Sequence, residues 1–543
     1  MENHDTQNKS TLVAQRTLWK KSKILLDRKR RYSRVLEFGA VAALHDMALR
    51  LNLTDMINSF STKRNQGVSL GEYLLIAIIN RALHPVSKTK IADWYESTML
   101  SFWVPVKAKE LSSQRYWDNT SEWTDDRIRE FELAFLKSIA KKYDITAKCL
   151  IYDATNFFTY IDTGNIRSTL SRRGHCKSKR NDLRIIGLSL MYSREDDFPL
   201  FYHVYEGNQN DSKQFSNAVK CLLNDYEAVF EKKPELTLVF DRGNNSKDNI
   251  QSLEESGFGI KYVGGLKKSQ CNELYMIPGK EYTAVEGMDG ITCYRATKEV
   301  FGLQLPVLVV HNPELEKGQL QGIRENMEKC SQSLFECHDS LEKRASGIVR
   351  KGKKPTEESV QKRVKTILSA EYMDELFDAN IVKDADGNIT LDYSFSSANL
   401  DALRKRYLGK TVLFTNHSDW DDREIIEAYR SAWQIEHAFR QMKDPWHLSV
   451  RPLWNWTDQK VKVHIFCCVM ALRLCVLLKR ELAKEGVMTS INSMLDRLGE
   501  SKQFIHYHQQ RRGLMEVYST TKDPEDVEEM MGILGLEKYS IKS

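Results

Sequence analysis

Three acidic side chains stand where an ionised carboxylate needs a reason. Asp153 lies in the middle of the apolar run LIYDATNF, where a charge is costly unless it is paired or binds a metal. Asp241 closes the apolar run of TLVFDRGNN, and strand-end carboxylates are where ligand and metal sites form in open α/β sheets. Glu436 is the single acid in YRSAWQIEHAFRQMK, among aromatic and basic residues. Carboxylate oxygens of this kind suit hard divalent cations such as magnesium and manganese. Read without a function, Asp153 is a strand-edge acid and Asp241 a turn former before Gly243.

The segment around Glu436 carries the sharper pattern. Its spacing predicts one helix over DDREIIEAYRSAWQIEHAFRQMK with two stripes. Ile425, Ala428, Ala432, Ile435, Phe439 and Met442 recur at three and four and form a packing face. Tyr429, Trp433, Glu436, Arg440 and Lys443 recur at the same intervals. At the helical repeat this second stripe lies about 90° round from the first. An acid that binds a metal, bases that hold phosphates and aromatics that meet a base together suit phosphoryl transfer on DNA. The plainer alternative is a surface helix with a Glu436–Arg440 ion pair.

The elements that must position these residues are legible in the surrounding texture. Residues 1–147 read as helical, with Ser69 and Thr124 as helix N-caps; short helices with a basic arm suit a DNA-binding domain, and the pattern equally fits a purely structural one. From Cys149 the order is three strands, a helix, a strand ending at Asp241, a helix and a strand. Antiparallel neighbours followed by αβ units predict a mixed α/β sheet with helices on its faces, over 148–266. Residues 267–420 read as a β-rich insertion that also holds the charged helix QLQGIRENMEKCSQSLFECHDSLEKR. The helical pattern resumes over 421–486 and a polar, short-helical tail follows at 487–543.

Composition narrows the partners. With 543 residues, 41% hydrophobic and 28% charged, the chain predicts several globular domains. The most apolar segment, VHIFCCVMALRLCVLLKREL, contains Arg473 and reads as a buried core helix. The polar start MENHDTQNKS lacks a signal-peptide core, so the expected place is the cytosol, at the nucleoid. Ten cysteines without a CxxC pair suggest neither a zinc nor a redox motif. The net charge is +6, but the bases cluster. Nine Lys/Arg lie between Arg16 and Arg34, six between Arg172 and Arg184, and a third run spans Arg350 to Lys365. Any one cluster reads equally as solvated surface; three in one chain favour a polyanion.

Four segments together resemble the DDE transposases of bacterial insertion sequences, in the insertion-sequence-four superfamily. They are YDATNF, EGNQNDS around Gly207, FDRGNNS, and YRSAWQIEHAFRQMK followed by LSVRPLW. The family signature is Tyr, two residues, Arg, three residues, Glu, six residues, Lys. Tyr429, Glu436 and Lys443 fit it, and Ala432 stands at the Arg position. The resemblance implies a ribonuclease H-like core interrupted by an insertion before the Glu-bearing helix. It implies that Asp153, Asp241 and Glu436 hold two magnesium ions, manganese substituting, with Asp153 bridging them. One ion would activate water or a DNA 3′-hydroxyl and the other the leaving oxygen. It further implies that Lys443 and Arg440 hold phosphates, with Arg430 or Arg440 taking over the contact of the absent Arg, and that Trp433 and Tyr429 contact the terminal base or backbone. Arg451, in VRPLW, reads either as a phosphate contact or as a cap on helix ends. The partners implied are double-stranded DNA, as transposon end and target, and a second copy in a homodimeric synaptic complex. A ribonuclease H-like nuclease without joining, and a non-catalytic DNA-binding derivative, are the alternatives.

Overall fold

The computed structural model describes residues 33–541 apart from 63–66, 176–179, 210, 234, 384–386 and 511–512. The basic run before residue 33 and part of the one after Arg172 therefore lie outside the described residues. The chain is mixed α/β and forms two compact units. The first comprises residues 1–239, 248–260 and 431–543, and the second 240–247 and 261–430.

The first unit is built around the helix Asp458–Lys484. Among the described residues it alone is long and apolar enough to cross a membrane, yet 94% of its most apolar window is buried inside the protein. It packs against the helices Gly39–Arg50 and Leu70–Leu83 and a strand at Phe198–Glu206. Helix Leu70–Leu83 begins as expected: Ser69 accepts the Glu72 N–H, and the Glu72 carboxylate accepts the Ser69 N–H at 2.7 Å. Thr124 holds the N-cap position of the helix Asp125–Tyr143 without a side-chain cap bond. Arg473 is fully buried in the long helix. It bonds Glu132 at 2.5 Å and the carbonyls of Pro199 and Leu200 at 3.0 and 2.6 Å. Burial pushes the Glu132 carboxyl above its ordinary range, against the pull of Arg473.

The strands of this unit follow the expected order. They are β1 (Cys149–Thr159), β2 (Arg184–Ser193), β3 (Phe198–Glu206) and β4 (Thr237–Phe240), whose last residue belongs to the second unit. Their order in the sheet is β3-β2-β1-β4, with β1/β2 and β2/β3 antiparallel. Side chains alternate across β1. Tyr152 faces Phe215 of the helix Asp211–Phe230, with ring centroids 5.1 Å apart. Gly207 sits where a Cβ would meet the Ile185 carbonyl at 1.9 Å, so the EGNQNDS glycine permits a close backbone approach to β2.

The C-terminal tail differs from its helical reading. Lys502–Gln510 and Gly513–Thr520 pair antiparallel, and Ser33–Glu37 adds to the former strand. The reason is a two-residue period, with Gln503 and Ile505 buried and Phe504 and His506 half-buried. Helices Ile491–Leu498 and Glu525–Ile533 flank this sheet in sequence.

The second unit holds β5 (Lys261–Gly265), β6 (Thr283–Ala284), β7 (Thr292–Val300), β8 (Leu303–His311), the hairpin β9 (Phe377–Lys383) and β10 (Ile389–Phe395), and β11 (Lys410–Thr415). Five of them run in the order β5-β11-β8-β7-β6, each pair antiparallel. The segment 267–420 is less β-rich than its strand texture suggested. The 33-residue helix Pro313–Ala345 and the helices Glu357–Ile367 and Ser397–Tyr407 outweigh its strands. A separate core of Leu334, Cys337, Leu341, Val360, Met373, Leu391 and Leu403 binds these helices to the β9–β10 hairpin. The apolar stripe of the Pro313–Ala345 helix packs chiefly on the β10 strand of that hairpin.

Candidate active site

Asp153 occupies the middle of β1, opposite Leu190 of β2. It is half-buried between two buried neighbours, and its Oδ1 accepts the Ala154 N–H at 2.7 Å. Period-two alternation puts Asp153, Thr155 and Phe157 on one face of the strand. The helix Trp433–Lys443 packs on β1 and β2. Its Lys443 ammonium donates to the Thr155 hydroxyl at 2.5 Å and stands 5.6 Å from the Phe157 ring centroid. Glu436 lies seven residues before Lys443, two turns away and within about 20° of the same direction. Glu436 and Arg440 are exposed on that stripe, while Ile435, Phe439 and Met442 are buried on the other. Arg451 donates to the Lys443 carbonyl at 2.6 Å, and its guanidinium lies 4.9 Å from the Phe158 ring centroid.

The single helix read from spacing is two. Asp422–Arg430 ends before Ser431, and Trp433–Lys443 starts after Ala432. The break separates the stripe into parts that belong to different units. Tyr429 and Arg430 lie in the second unit, and Trp433, Glu436, Arg440 and Lys443 in the first. A three-and-four repeat runs unchanged through one irregular step, so spacing alone does not show the interruption. Trp433, 59% exposed, opens the second helix; its Ala432 N-cap makes no side-chain cap bond.

In the second unit, Asp241 is exposed directly after β4, and its carbonyl accepts the Asn244 N–H at 3.0 Å. The turn-forming reading of Asp241 thus holds beside any chemical one. Tyr429 Oη donates to Asp241 Oδ1 at 3.3 Å. Burial, reinforced by the Asp241 charge, pushes the Tyr429 phenol up to about 12. A Cβ at Gly265 would stand 2.5 Å from Tyr429 Oη, so the glycine lets this side chain reach its place. Arg430 instead lines a shallow cavity with Asp289, Glu314 and Glu427.

The two units thus each hold part of the expected set. Asp153, Glu436, Trp433, Arg440, Lys443 and Arg451 are in the first; Asp241, Tyr429 and Arg430 are in the second. Among the described residues no group of three or more His, Cys, Asp or Glu side chains is arranged to hold a metal ion. The three carboxylates are nonetheless hard oxygen donors with exposed or half-buried heads, a chemistry that fits a divalent cation. His464 is buried and bonded to the Val450 carbonyl at 2.7 Å, with its pKa driven well down by burial, as a core histidine. His437, its pKa also lowered by burial, contacts Gln441 at 3.1 Å. Thr155, the partner of Lys443, is the residue that sequence reasoning missed; its signal was its place two residues after Asp153.

Comparison with known proteins bears on the same segments. The transposase DDE domain family matches residues 146–472, more than half of the chain. No curated protein matches it. A piggyBac transposase synaptic complex with hairpin DNA aligns at 11% identity over 84% of this chain and 79% of that one, with a TM-score of 0.36. A Mos1 transposase paired-end complex with a left transposon end aligns at 13% identity over 37% and 61%, with a TM-score of 0.14. Likenesses this distant carry no structural weight, and the family match decides alone. Proteins with this domain are polynucleotidyl transferases that cut and join DNA, and by this match the chain belongs to the transposase DDE-domain family.

Proposed function

We propose that this transposase belongs to the insertion-sequence-four superfamily, cleaves the ends of its own element and joins their 3′-hydroxyls to target DNA. In this reading residues 148–266 and 421–486 form a ribonuclease H-like core, 267–420 an insertion, 1–147 a DNA-binding domain and 487–543 a tail. Asp153, Asp241 and Glu436 hold two magnesium ions, which supply Lewis-acid activation of the attacking and leaving oxygens when bound. Arg440 and Lys443, with Arg430 and Arg451, take phosphates flanking the scissile bond. Trp433 and Tyr429 hold the terminal base or backbone. Two copies act together in a synaptic complex, in the cytosol at the nucleoid.

The observation that supports this reading best is the Trp433–Lys443 helix lying on the Asp153 strand, anchored by the Lys443–Thr155 bond at 2.5 Å. That anchor fixes the rotation of the helix that carries Glu436. Lys443 is held there by Thr155 and the Phe157 ring, so its charge is preorganised rather than recruited. The test is a strand-transfer assay with a precut end and magnesium. Joined product is expected; hydrolysis without joining favours the nuclease reading, and binding without either reaction favours a non-catalytic derivative.

A further inference from the structure

Four tryptophans between Trp433 and Trp456 are substantially exposed. Two of them form part of a built surface in the first unit. In Leu453–Trp456, Leu453 and Asn455 are buried while Trp454 and Trp456 are 52% and 66% exposed. Tyr160, at the end of β1, stacks on Trp454 with ring centroids 4.6 Å apart and planes at 23°. The backbone beneath is tied down. Tyr160 N–H donates to the Leu453 carbonyl at 3.0 Å, and the Asn165 side chain to the Trp456 carbonyl at 3.3 Å. Asp458, in the first turn of the long core helix, accepts from Ser168, Thr169 and Leu170 at 2.5–3.0 Å. Arg184 donates to the Asn165 carbonyl at 2.8 Å and to that of Thr163. The rings therefore project from a rigid base, not from a loose loop.

The charges in sequence beside this surface are mainly basic. Arg167, Arg172 and Arg173 are exposed on the connection that leaves Tyr160, and Arg451 precedes Trp454 by three residues. Asp162 and Asp182 are exposed acids on that connection; Asp162 Oδ1 accepts the Gly164 N–H at 2.6 Å, and Asp182 pairs with Arg180 at 2.7 Å. Rigid, solvent-facing rings among arginines suit a flat π-face attached to phosphate. The same segment follows Lys443 through Arg451, so it continues from the end of the Glu436 helix.

We propose that Trp454, Trp456 and Tyr160 form a stacking platform for unpaired nucleobases at a DNA end. The proposal rests on the DNA-cutting reading and adds to it a preference for single-stranded or extruded bases. A paired duplex offers such rings only its terminal face, whereas an unpaired base can lie flat on Trp454.

The test uses the full chain and a mixed-sequence duplex carrying a short single-stranded 3′ tail, against the same duplex blunt. Wild type is expected to bind the tailed duplex about tenfold more tightly, the scale of one stacked base. Trp454→Ala and Trp456→Ala are expected to lose that preference and keep blunt-duplex affinity, while Trp454→Phe keeps most of the preference. Equal binding of both duplexes by wild type, or an unchanged preference in both alanine variants, overturns the platform while leaving DNA binding intact. Failure of wild type to bind either duplex overturns the DNA reading beneath it. A change from dimer to monomer in Trp454→Ala with the tail preference unchanged makes the surface a self-association site and also overturns the platform.

Discussion

Lys443 donates to Thr155 at 2.5 Å, and Thr155 lies on the same strand face as Asp153. One hydrogen bond thus couples the last turn of the Glu436 helix to the strand that carries the first acid. Thr155→Val removes the acceptor while keeping the shape. We expect it to lower DNA cleavage several-fold and to cost about 1–2 kcal/mol of stability, because it strips a half-buried ammonium of a partner. Thr155→Ser should restore both. Cleavage rates beside urea unfolding of the three proteins test this; wild-type rates in Thr155→Val would separate the bond from catalysis.

The carboxylates should be chemically indispensable and nearly irrelevant to binding. Asp153→Ala, Asp241→Ala and Glu436→Ala are each expected to reduce magnesium-dependent cleavage by roughly a thousandfold or more, the scale of a lost metal ligand. Their affinity for duplex DNA should stay within a few-fold of wild type, since phosphate contacts carry it. Gel-based cleavage and binding measured in parallel decide the matter, and near-normal cleavage by any one removes that residue from the set.

Tyr429→Phe removes the hydroxyl that donates to Asp241 at 3.3 Å. Cleavage should fall about tenfold, as one hydrogen bond to a charged group is lost. The phenol, held up to about 12, stays protonated through the working range. The pH–rate profile between pH 7 and 9 should therefore keep its shape in the variant. A profile that changes form in that window would assign the tyrosine a titrating role instead.

Asp458 provides a pH-dependent contribution to folding. Burial pushes its carboxyl up, but bonds from Thr169, Leu170 and Ser168 outweigh it and hold the pKa below the ordinary 3.8. A depressed pKa stabilises above the unfolded value and loses that contribution as pH falls through the folded one. Wild type should exceed Asp458→Asn in stability at pH 5 to 7, and the gap should shrink as pH drops below about 4. Urea midpoints across that range test it; a gap that widens on acidification would reverse the sign.

The buried Arg473–Glu132 pair should be costly to break. Arg473→Met leaves Glu132 without its 2.5 Å partner and is expected to cost about 3–5 kcal/mol. Glu132→Gln added to it should recover part of that loss. Equal destabilisation in the single and double variants would show that the two carbonyl bonds of Arg473 dominate.

What the sequence made legible follows from which forces are local. β1, the strand ending at Asp241 and the helices after them announce themselves by apolar runs and turn residues. The capping box at Ser69 and the buried character of Asp458–Lys484 do the same. The break at Ser431–Ala432 does not, because both halves keep one period. The tail hairpin is hidden by its polarity, and the strand that completes its sheet, Ser33–Glu37, lies far off in the sequence. Thr155 is marked in the sequence only by its place two residues after Asp153, and its partner Lys443 comes from a distant helix. The exposed tryptophans were spelled out in LSVRPLWNW, yet only tertiary bonds to residues 160–170 make them a surface.

The long helix Asp458–Lys484 also sets the order in which this protein can come into being. Helices Gly39–Arg50 and Leu70–Leu83 and strand β3 all pack on it, and it leaves the ribosome after all three of them. Until then the faces they turn to it have no native cover. The second unit, complete by Arg430, is synthesised in full before the first can close. Nascent chains halted before residue 458 should therefore be chaperone-bound and protease-sensitive in their first 239 residues.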